Sequence, residues 1–339
     1  MYQYAQLVHW MKRQDAVLIP ASVDIDLTNI CNQDCYYCDS AEFRAAHPES
    51  QTIDSYLALI DRLAEWNSYS DKTVGSLNTV CFSGGGEPTL YKGYEHVIAH
   101  SVNKGFRTSL TTNGTNLDRL VDNIDHTTIK SMAWIGVDMD AGNEALYETI
   151  RKTKNKSVFT KVVDNMIQLV ELGANVDIKI LLNEQNSTEA ELRSIFELAC
   201  YTGARMVYFR PTVLNNIAID CRSAINLINQ LSAEYSVNAK VNLKKFEPRT
   251  YSRCHQMYQF LIFSSDGQMY SCCENKGNTN FSIGAWNTGD FRDLWLSQQH
   301  HAMYNKINTK LCQPCRSHNH NLGIEQVMQN PDLQDTLFY

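Results

Sequence analysis

The sequence predicts an α/β fold, a parallel sheet with crossover helices, followed by a smaller unit of different composition. Strand-like and helix-like runs alternate from residue 23 to residue 210, as they must when each strand needs a helix to return to the same end of a sheet. At 339 residues and 43% hydrophobic content the chain can bury a large core, with room for a second, smaller one. Past residue 250 the helical periodicity gives way to short strands and clustered cysteines.

In chain order, residues 23–28 form the first β-like run. Ile53, Leu57, Ile60, Leu63 and Ala64, with charge between them, predict a helix over 52–66. Residues 79–83 read as the second strand, 91–104 as a helix stopped by Gly105, and 106–112 as a third strand ending in Asn113-Gly114. A short helix over 117–124, a strand over 131–138 and a helix over 158–172 closed by Gly173 follow. Residues 176–182 make a fifth strand, 188–201 a helix capped by Gly203, and 205–210 a sixth strand. In parallel α/β barrels chemistry sits at the carboxyl ends of strands, which points Thr111, Thr112, Asn113, Asp138, Leu182, Asn183 and Arg210 toward a cavity.

The net charge of -7 is mild and no long basic patch offsets it, which argues against a nucleic-acid scaffold. The one basic cluster, 151–156, reads as a solvated helix start or loop. No stretch of eighteen apolar residues occurs and the amino terminus is too polar for a signal peptide, so a cytoplasmic protein without membrane association is expected. In a reducing compartment, eleven cysteines more often bind metal than form disulfides.

Three of them, Cys31, Cys35 and Cys38, lie within eight residues directly after the first strand. A loop can wrap such thiols around one metal cluster. A cubane cluster has four irons, so three thiolates leave one iron open to a small molecule; zinc or stray redox cysteines are the plainer reading. After the second strand comes Ser83-Gly84-Gly85-Gly86-Glu87-Pro88, where glycines admit a close backbone approach to a ligand and Glu87 offers a carboxylate to an ammonium.

Together these residues resemble the radical S-adenosylmethionine (SAM) enzymes, whose C-x-x-x-C-x-x-C signature has an aromatic residue, here Tyr37, before the last cysteine. The resemblance covers roughly residues 20 to 320. It implies a partial (β/α)6 TIM-like barrel, SAM chelated to the open iron, and a glycine-glycine-glutamate element holding the methionine amino group. It also implies reductive cleavage to a 5'-deoxyadenosyl radical that takes a hydrogen atom from substrate, with electrons from a flavodoxin- or ferredoxin-type donor. Arg151, in Tyr147-Glu-Thr-Ile-Arg151, matches the family arginine that opens the next helix and meets SAM. The family's serine on strand four is replaced by Gly136, with Asp138 two residues on.

The second cysteine set comprises Cys254, then residues 260–263 and 268–270 joined by Asp266-Gly267, then Cys272-Cys273, and finally Cys312-Gln-Pro-Cys315. Two strands joined by an Asp-Gly turn read as a hairpin that brings Cys254 and Cys272 together. Four thiolates can close a zinc or iron-sulfur site, with Cys273 an alternative to Cys272. The layout is similar to the auxiliary-cluster twitch domain, a short relative of the SPASM domain, in radical SAM dehydrogenases and epimerases. It implies one auxiliary 4Fe-4S cluster beside the SAM-binding one. Cys81 and Cys200 read as small buried hydrophobes. Cys221, after the sixth strand, is a candidate hydrogen-atom donor of the kind such epimerases use, with Cys273 a second. His255, His318 and His320 read as polar surface residues.

The expected organisation is an amino-terminal extension over 1–20, the barrel over 21–235, a small α+β auxiliary-cluster domain over 236–325 and a tail over 326–339. The expected activity is oxidation or epimerisation of a small polar metabolite, an amino sugar or nucleotide-linked compound, since only about twenty residues precede the first strand and a leader-binding domain would need more. A peptide maturase or epimerase is the alternative, and a non-catalytic iron-sulfur or zinc protein a third reading.

Overall fold

The computed structural model describes residues 2–153, 157–214, 217–218, 220–242, 247 and 249–334. Helix α1 (Tyr2–Arg13) precedes strand β1 (Ser22–Asp26), helices α2 (Ala41–Ala46) and α3 (Ile53–Trp66), and strand β2 (Thr79–Ser83). Then come α4 (Tyr94–Asn103), β3 (Arg107–Thr112), α5 (Asp118–Asn123), α6 (His126–Ser131), β4 (Trp134–Asp138), α7 (Glu144–Arg151) and α8 (Val158–Glu171). The alternation continues through β5 (Val176–Leu182), α9 (Glu189–Thr202), β6 (Met206–Pro211), α10 (Ile225–Glu234) and β7 (Asn238–Val241). The carboxyl-terminal part supplies β8 (Phe260–Phe263), β9 (Gln268–Tyr270), β10 (Ser282–Ala285), α11 (Phe291–Leu294), α12 (Gln298–Lys306) and α13 (His318–Gln329).

Ten strands form one sheet in the order β7-β6-β5-β4-β3-β2-β1-β8-β9-β10. β1 to β7 are all parallel, β8 pairs parallel to β1, β9 pairs antiparallel to β8, and β10 pairs antiparallel to β9. The sheet does not close, since β7 and β10 lie at opposite edges. The six expected strands are present, and a seventh, β7, adds to the edge of β6; its short exposed run carries little apolar pattern for sequence reasoning to find. The expected Asp-Gly hairpin is β8-β9, with Gly267 at φ +81° in the turn. Its first strand docks on β1 through Phe260 opposite Ser22 and Phe263 opposite Ile25, so the auxiliary segment extends the same sheet.

β1 illustrates how one strand serves two surfaces. Val23 and Ile25 are fully buried in the main core, while Ser22, Asp24 and Asp26 line a cavity on the other face, because successive side chains project to opposite faces. α3 covers the core face: Thr52 caps it by accepting from Ser55 N at 3.2 Å, and Tyr56, Leu59, Ile60, Leu63 and Trp66 are buried. The amino-terminal segment is a helix where a bare extension was expected. α1 packs on α13, burying Ala5, Leu7, Val8 and Trp10 with Ile324 and Val327, and so ties the two ends of the chain together.

Three shorter helices, α2, α6 and α7, fall in stretches without a predicted helix; each spans eight residues or fewer, too short for periodicity to stand out. Residues 154–156 of the basic cluster lie outside the described residues. Arg151 contradicts the solvated reading: its side chain is 7% exposed and it closes α7 instead of opening the next helix. No helix among the described residues is long and apolar enough to cross a membrane.

Candidate active site

A cavity of about 880 Å³ runs along the inner face of the sheet and out at the carboxyl ends of its strands. Cys31, Cys35 and Cys38 line it from the loop after β1, and Gly84, Gly85, Gly86 and Glu87 from the loop after β2. The two loops bind each other directly: Gly86 N donates to Thr28 O at 3.1 Å and Glu87 N to Ile30 O at 2.8 Å. A Cβ on Gly86 would overlap the Ile30 carbonyl, and one on Gly85 the Asn29 side chain. These glycines therefore serve the approach of one loop to the other, in addition to any approach to a ligand. Gly86→Ala is expected to displace the cysteine loop and lower the iron bound on anaerobic reconstitution; wild-type iron content in that variant would refute this packing role.

Glu87 lines the cavity and is also held by the protein. It is 3% exposed; Oε1 accepts from Thr89 N (3.0 Å), Thr89 Oγ1 (2.7 Å) and Thr112 Oγ1 (2.6 Å), and Oε2 from Asn113 N (2.6 Å). A carboxylate has about four acceptor sites, so it is nearly saturated by protein donors and braces the end of β2 against the end of β3. Burial pushes its acid strength down, raising the pKa, and those donors oppose the shift. Asn113 lines the cavity, yet its Oδ1 accepts from Thr115 N and Oγ1 and its Nδ2 donates to Asn32 at 2.8 Å.

The cysteine loop is pinned from the far side by a residue absent from the sequence reading. Asp140, fully buried and at φ +57°, accepts at Oδ2 from the Tyr37 hydroxyl and from Arg151 Nη2 at 2.6 Å, and at Oδ1 from Leu181 N at 2.5 Å. Burial holds the Tyr37 hydroxyl well above its ordinary pKa, so it stays a donor. Arg151 also reaches the Asp138 carbonyl, Gln33 Oε1 at 3.5 Å and Cys35 Sγ at 3.6 Å. Arg44 Nη2 is likewise 3.6 Å from Cys38 Sγ. The only sequence signal for Asp140 is an acid two residues past a strand end.

Asp138 lines the cavity and pairs with Lys179 Nζ at 3.2 Å. A side chain at Gly136 would overlap the Trp134 ring and meet the Lys179 stem, so that position has no space for the serine the family carries there. Thr111, Thr112 and Arg210 line the cavity as expected, but Leu182 and Asn183 do not. Leu182 is 1% exposed in the core and its neighbour Leu181 faces the cavity instead, a one-residue error that inverts the face. Cys221 also falls away from the cavity: it precedes the short helical turn Arg222–Ala224, is 4% exposed within the main core, and is not among the cavity residues. Cys81 lines the cavity and Cys200 is exposed, against the expectation that both are buried.

In the carboxyl-terminal segment burial raises the pKa of Cys254, Cys272 and Cys315, pushing Cys254 up to about 12, and Cys315 lies close enough to Cys254 and Cys272 to raise both further. Their sulfurs accept from Asn321 Nδ2 (3.7 Å), Asn275 Nδ2 (3.3 Å) and Ser317 N (3.2 Å). Cys312 and Cys315 border a cavity of about 320 Å³. Arg249 holds that bracket by donating to the carbonyls of Thr309 (2.9 Å), Cys312 (2.6 Å) and Gln313. Cys273 lies in the main cavity near Arg316. His255 and His318 are buried, not surface, residues: His255 bridges Glu325 and Tyr304, both at 2.9 Å, and His318 meets the Tyr251 hydroxyl at 2.9 Å. His320 is exposed as expected.

All eleven cysteines are free thiols. Among the described residues no three Cys, His, Asp or Glu side chains converge on a single ion, as zinc's thiolates would at about 2.3 Å. Grouped, half-buried thiols with arginines beside them, Arg151 at Cys35, Arg44 at Cys38 and Arg249 at the Cys312–Cys315 bracket, fit a larger cluster, whose binding would stabilise the thiolates.

A family model described as the radical SAM superfamily matches residues 25–198, just over half of the chain. This chain belongs to the radical SAM superfamily. The SPASM iron-sulfur cluster-binding domain matches residues 254–317, a span that holds all five cysteines of the second set. Radical SAM enzymes bind SAM and a 4Fe-4S cluster, and the SPASM domain carries auxiliary iron-sulfur clusters. The chain is 24% identical over 236 residues to a probable GTP 3',8-cyclase of Saccharolobus islandicus, covering 66% of this chain and 68% of that protein. It is 27% identical over 175 residues to the Fe-coproporphyrin III synthase of Methanosarcina barkeri, covering 51% of this chain and 39% of that one. Its fold is similar to that of Streptococcus suis SuiB bound to precursor peptide SuiA, with TM-score 0.66 at 13% identity, covering 89% of this chain and 69% of that one.

Proposed function

We propose that this radical SAM enzyme abstracts a hydrogen atom from a small polar metabolite held in the main cavity, giving oxidation or epimerisation. The observation that carries the reading is the continuity of that cavity: one space joins Cys31, Cys35 and Cys38 to Cys273, Lys276 and Arg316 of the SPASM segment. Its volume of about 880 Å³ has to hold the cluster and SAM as well as the substrate, which leaves the smaller part of the space for the substrate. Bound there, SAM and its cluster would supply a one-electron cleavage and a hydrogen-abstracting radical.

In this reading Cys31, Cys35 and Cys38 hold the SAM-binding cluster, with Arg44 and Arg151 beside two of the sulfurs. Gly84 to Gly86 shape the backbone next to it, and Asp138, Asn113 and Leu181 border the remaining SAM space. Cys254, Cys272, Cys312 and Cys315 hold one auxiliary cluster, which could accept the second electron of an oxidation. An epimerisation would draw its returning hydrogen from Cys273, whose thiol lines the cavity. The name of the GTP 3',8-cyclase relatives, which specifies a nucleotide substrate, supports the small-substrate class.

The test is anaerobic reconstitution, iron and sulfide counting, and a deoxyadenosine assay with SAM and dithionite. Two clusters predict about eight irons and released deoxyadenosine; no deoxyadenosine from a fully loaded sample would return the chain to a binding role. Cys312→Ala is expected to lose about half the iron while still cleaving SAM without coupling to substrate. Unchanged iron in that variant would mean the auxiliary site is drawn wrongly.

A further inference from the structure

The cavity has a second polar pole, on the side away from the Arg151 cluster. It is built on β1, which β2 and β3 separate from β4 and β5 in the sheet. Asp24 and Asp26 project together on the cavity face of β1, and each meets a cation from the SPASM segment. Arg316 Nη2 lies 2.7 Å from Asp24 Oδ2, and Lys276 Nζ lies 2.6 Å from Asp26 Oδ2. Asp26 is 1% exposed, and its other oxygen, Oδ1, has no hydrogen-bond partner in the protein among the described residues. Gln256 Oε1, another oxygen on a residue of the cavity wall, is buried and unpartnered as well. Buried polar atoms are nearly always satisfied. Asp26 Oδ1 and Gln256 Oε1 are acceptors, so the complement of each is a group that donates; the other unpartnered atoms on the cavity wall, among the described residues, are Arg44 Nε, Arg151 Nε and Thr212 Oγ1.

We propose that Asp26 and Lys276 form a substrate-recognition subsite in which Asp26 Oδ1 accepts a hydrogen bond from a hydroxyl or ammonium group of the substrate. This rests on the reading of the cavity as the chamber of a radical SAM enzyme and narrows its substrate. Lys276 Nζ, 2.6 Å from Oδ2, supplies the counter-charge for an Asp26 carboxylate, which leaves Oδ1 as an acceptor. Arg316 and Lys276 at this pole are already paired with Asp24 and Asp26, and Glu274 adds a further acid to the wall, so acids outnumber cations there and disfavour a carboxylate or phosphate. The class that fits is a neutral or amino-bearing polyol at this end of the molecule.

The experiment titrates the reconstituted, SAM-loaded holoenzyme anaerobically with glucosamine, glucose, gluconate and inorganic phosphate. The first three are of similar size and differ in charge. Glucosamine and glucose are expected to bind saturably at millimolar concentration, and gluconate and phosphate at least tenfold more weakly. Asp26→Asn sharpens the test. To keep Lys276 satisfied, the amide oxygen must face the ammonium, which places the NH₂ where Oδ1 stood and inverts the subsite from acceptor to donor. Glucosamine affinity is then expected to fall at least tenfold while gluconate gains. The subsite is overturned if wild type shows no saturable glucosamine binding, if it prefers gluconate or phosphate, or if Asp26→Asn binds glucosamine unchanged. The wild-type panel decides even if the variant does not fold. Deoxyadenosine release from the same wild-type preparation separates the two levels: release without sugar discrimination sinks the subsite alone, and absence of release sinks the enzymatic reading with it.

Discussion

Cys35→Ala is expected to abolish deoxyadenosine formation while leaving the SPASM iron in place. Cys35 is the middle of three thiols on one loop, and with Cys31 and Cys38 it lines the cavity. A cluster already one ligand short of four cannot spare another and still hold an open iron. Cys35 is also where Arg151 approaches the loop, at 3.6 Å from the sulfur, so its loss removes a contact as well as a ligand. The second cysteine set lies on separate elements, with its own sulfur hydrogen bonds from Asn321, Asn275 and Ser317, and does not depend on it. The measurement is iron per chain, expected to fall to about four of about eight, with deoxyadenosine at background. Deoxyadenosine at wild-type rate would overturn the assignment of the active cluster.

The second large effect is expected at Asp140, a residue that need touch neither cofactor nor substrate to matter. Asp140 is fully buried and Arg151 nearly so, with side chains 0% and 7% exposed. Asp140→Asn keeps the shape but leaves the Arg151 guanidinium buried without its counter-charge. Breaking a buried pair by removing one partner typically costs about 3–5 kcal/mol. The Tyr37 hydroxyl and Leu181 N lose a charged acceptor in the same step. Denaturant midpoints of the metal-free protein, converted with the measured slope, should show that loss. The double variant Asp140→Asn with Arg151→Met should recover a substantial part of it, because the stranded charge is gone. A loss under about 1 kcal/mol, or no recovery in the double variant, would show that Arg151 finds another partner. In reconstituted protein the same variant should bind less iron, since Tyr37 and Arg151 are the loop's anchors on that side.

Much of this was legible in the chain itself, and the reasons differ by element. The strands β1 to β6 announced themselves because each combines apolar character with a glycine, proline or asparagine boundary, and the helices that cover them are long enough to show a 3.6-residue period. The first cysteine set was readable because a short loop makes spatial closeness and sequence closeness the same thing; the second, spread from Cys254 to Cys315, was readable through its hairpin turn and its two-residue bracket. The hairpin was readable for a similar reason, since Asp266-Gly267 suits only a tight turn. α1, by contrast, is an amphipathic stretch whose partner, α13, lies at the other end of the chain, and no local pattern names such a partner.

What the sequence determined by itself is therefore the fold class and the succession of strands along the chain, which rest on periodicity, and, through the resemblance of its cysteine and glycine motifs, the family and its cofactor chemistry. What only the tertiary structure decided is which face each residue takes and which distant groups meet. Leu181 rather than Leu182 borders the cavity because one residue in a strand reverses the face. Glu87 is engaged by Thr89, Thr112 and Asn113 because β3 ends beside the loop after β2. Asp140 gathers Tyr37, Arg151 and Leu181 from separate elements. Asp26 meets Lys276 across 250 residues because β8 docks on β1. Such pairings depend on the sheet order, which arises from packing the whole chain and is written in no single stretch of it.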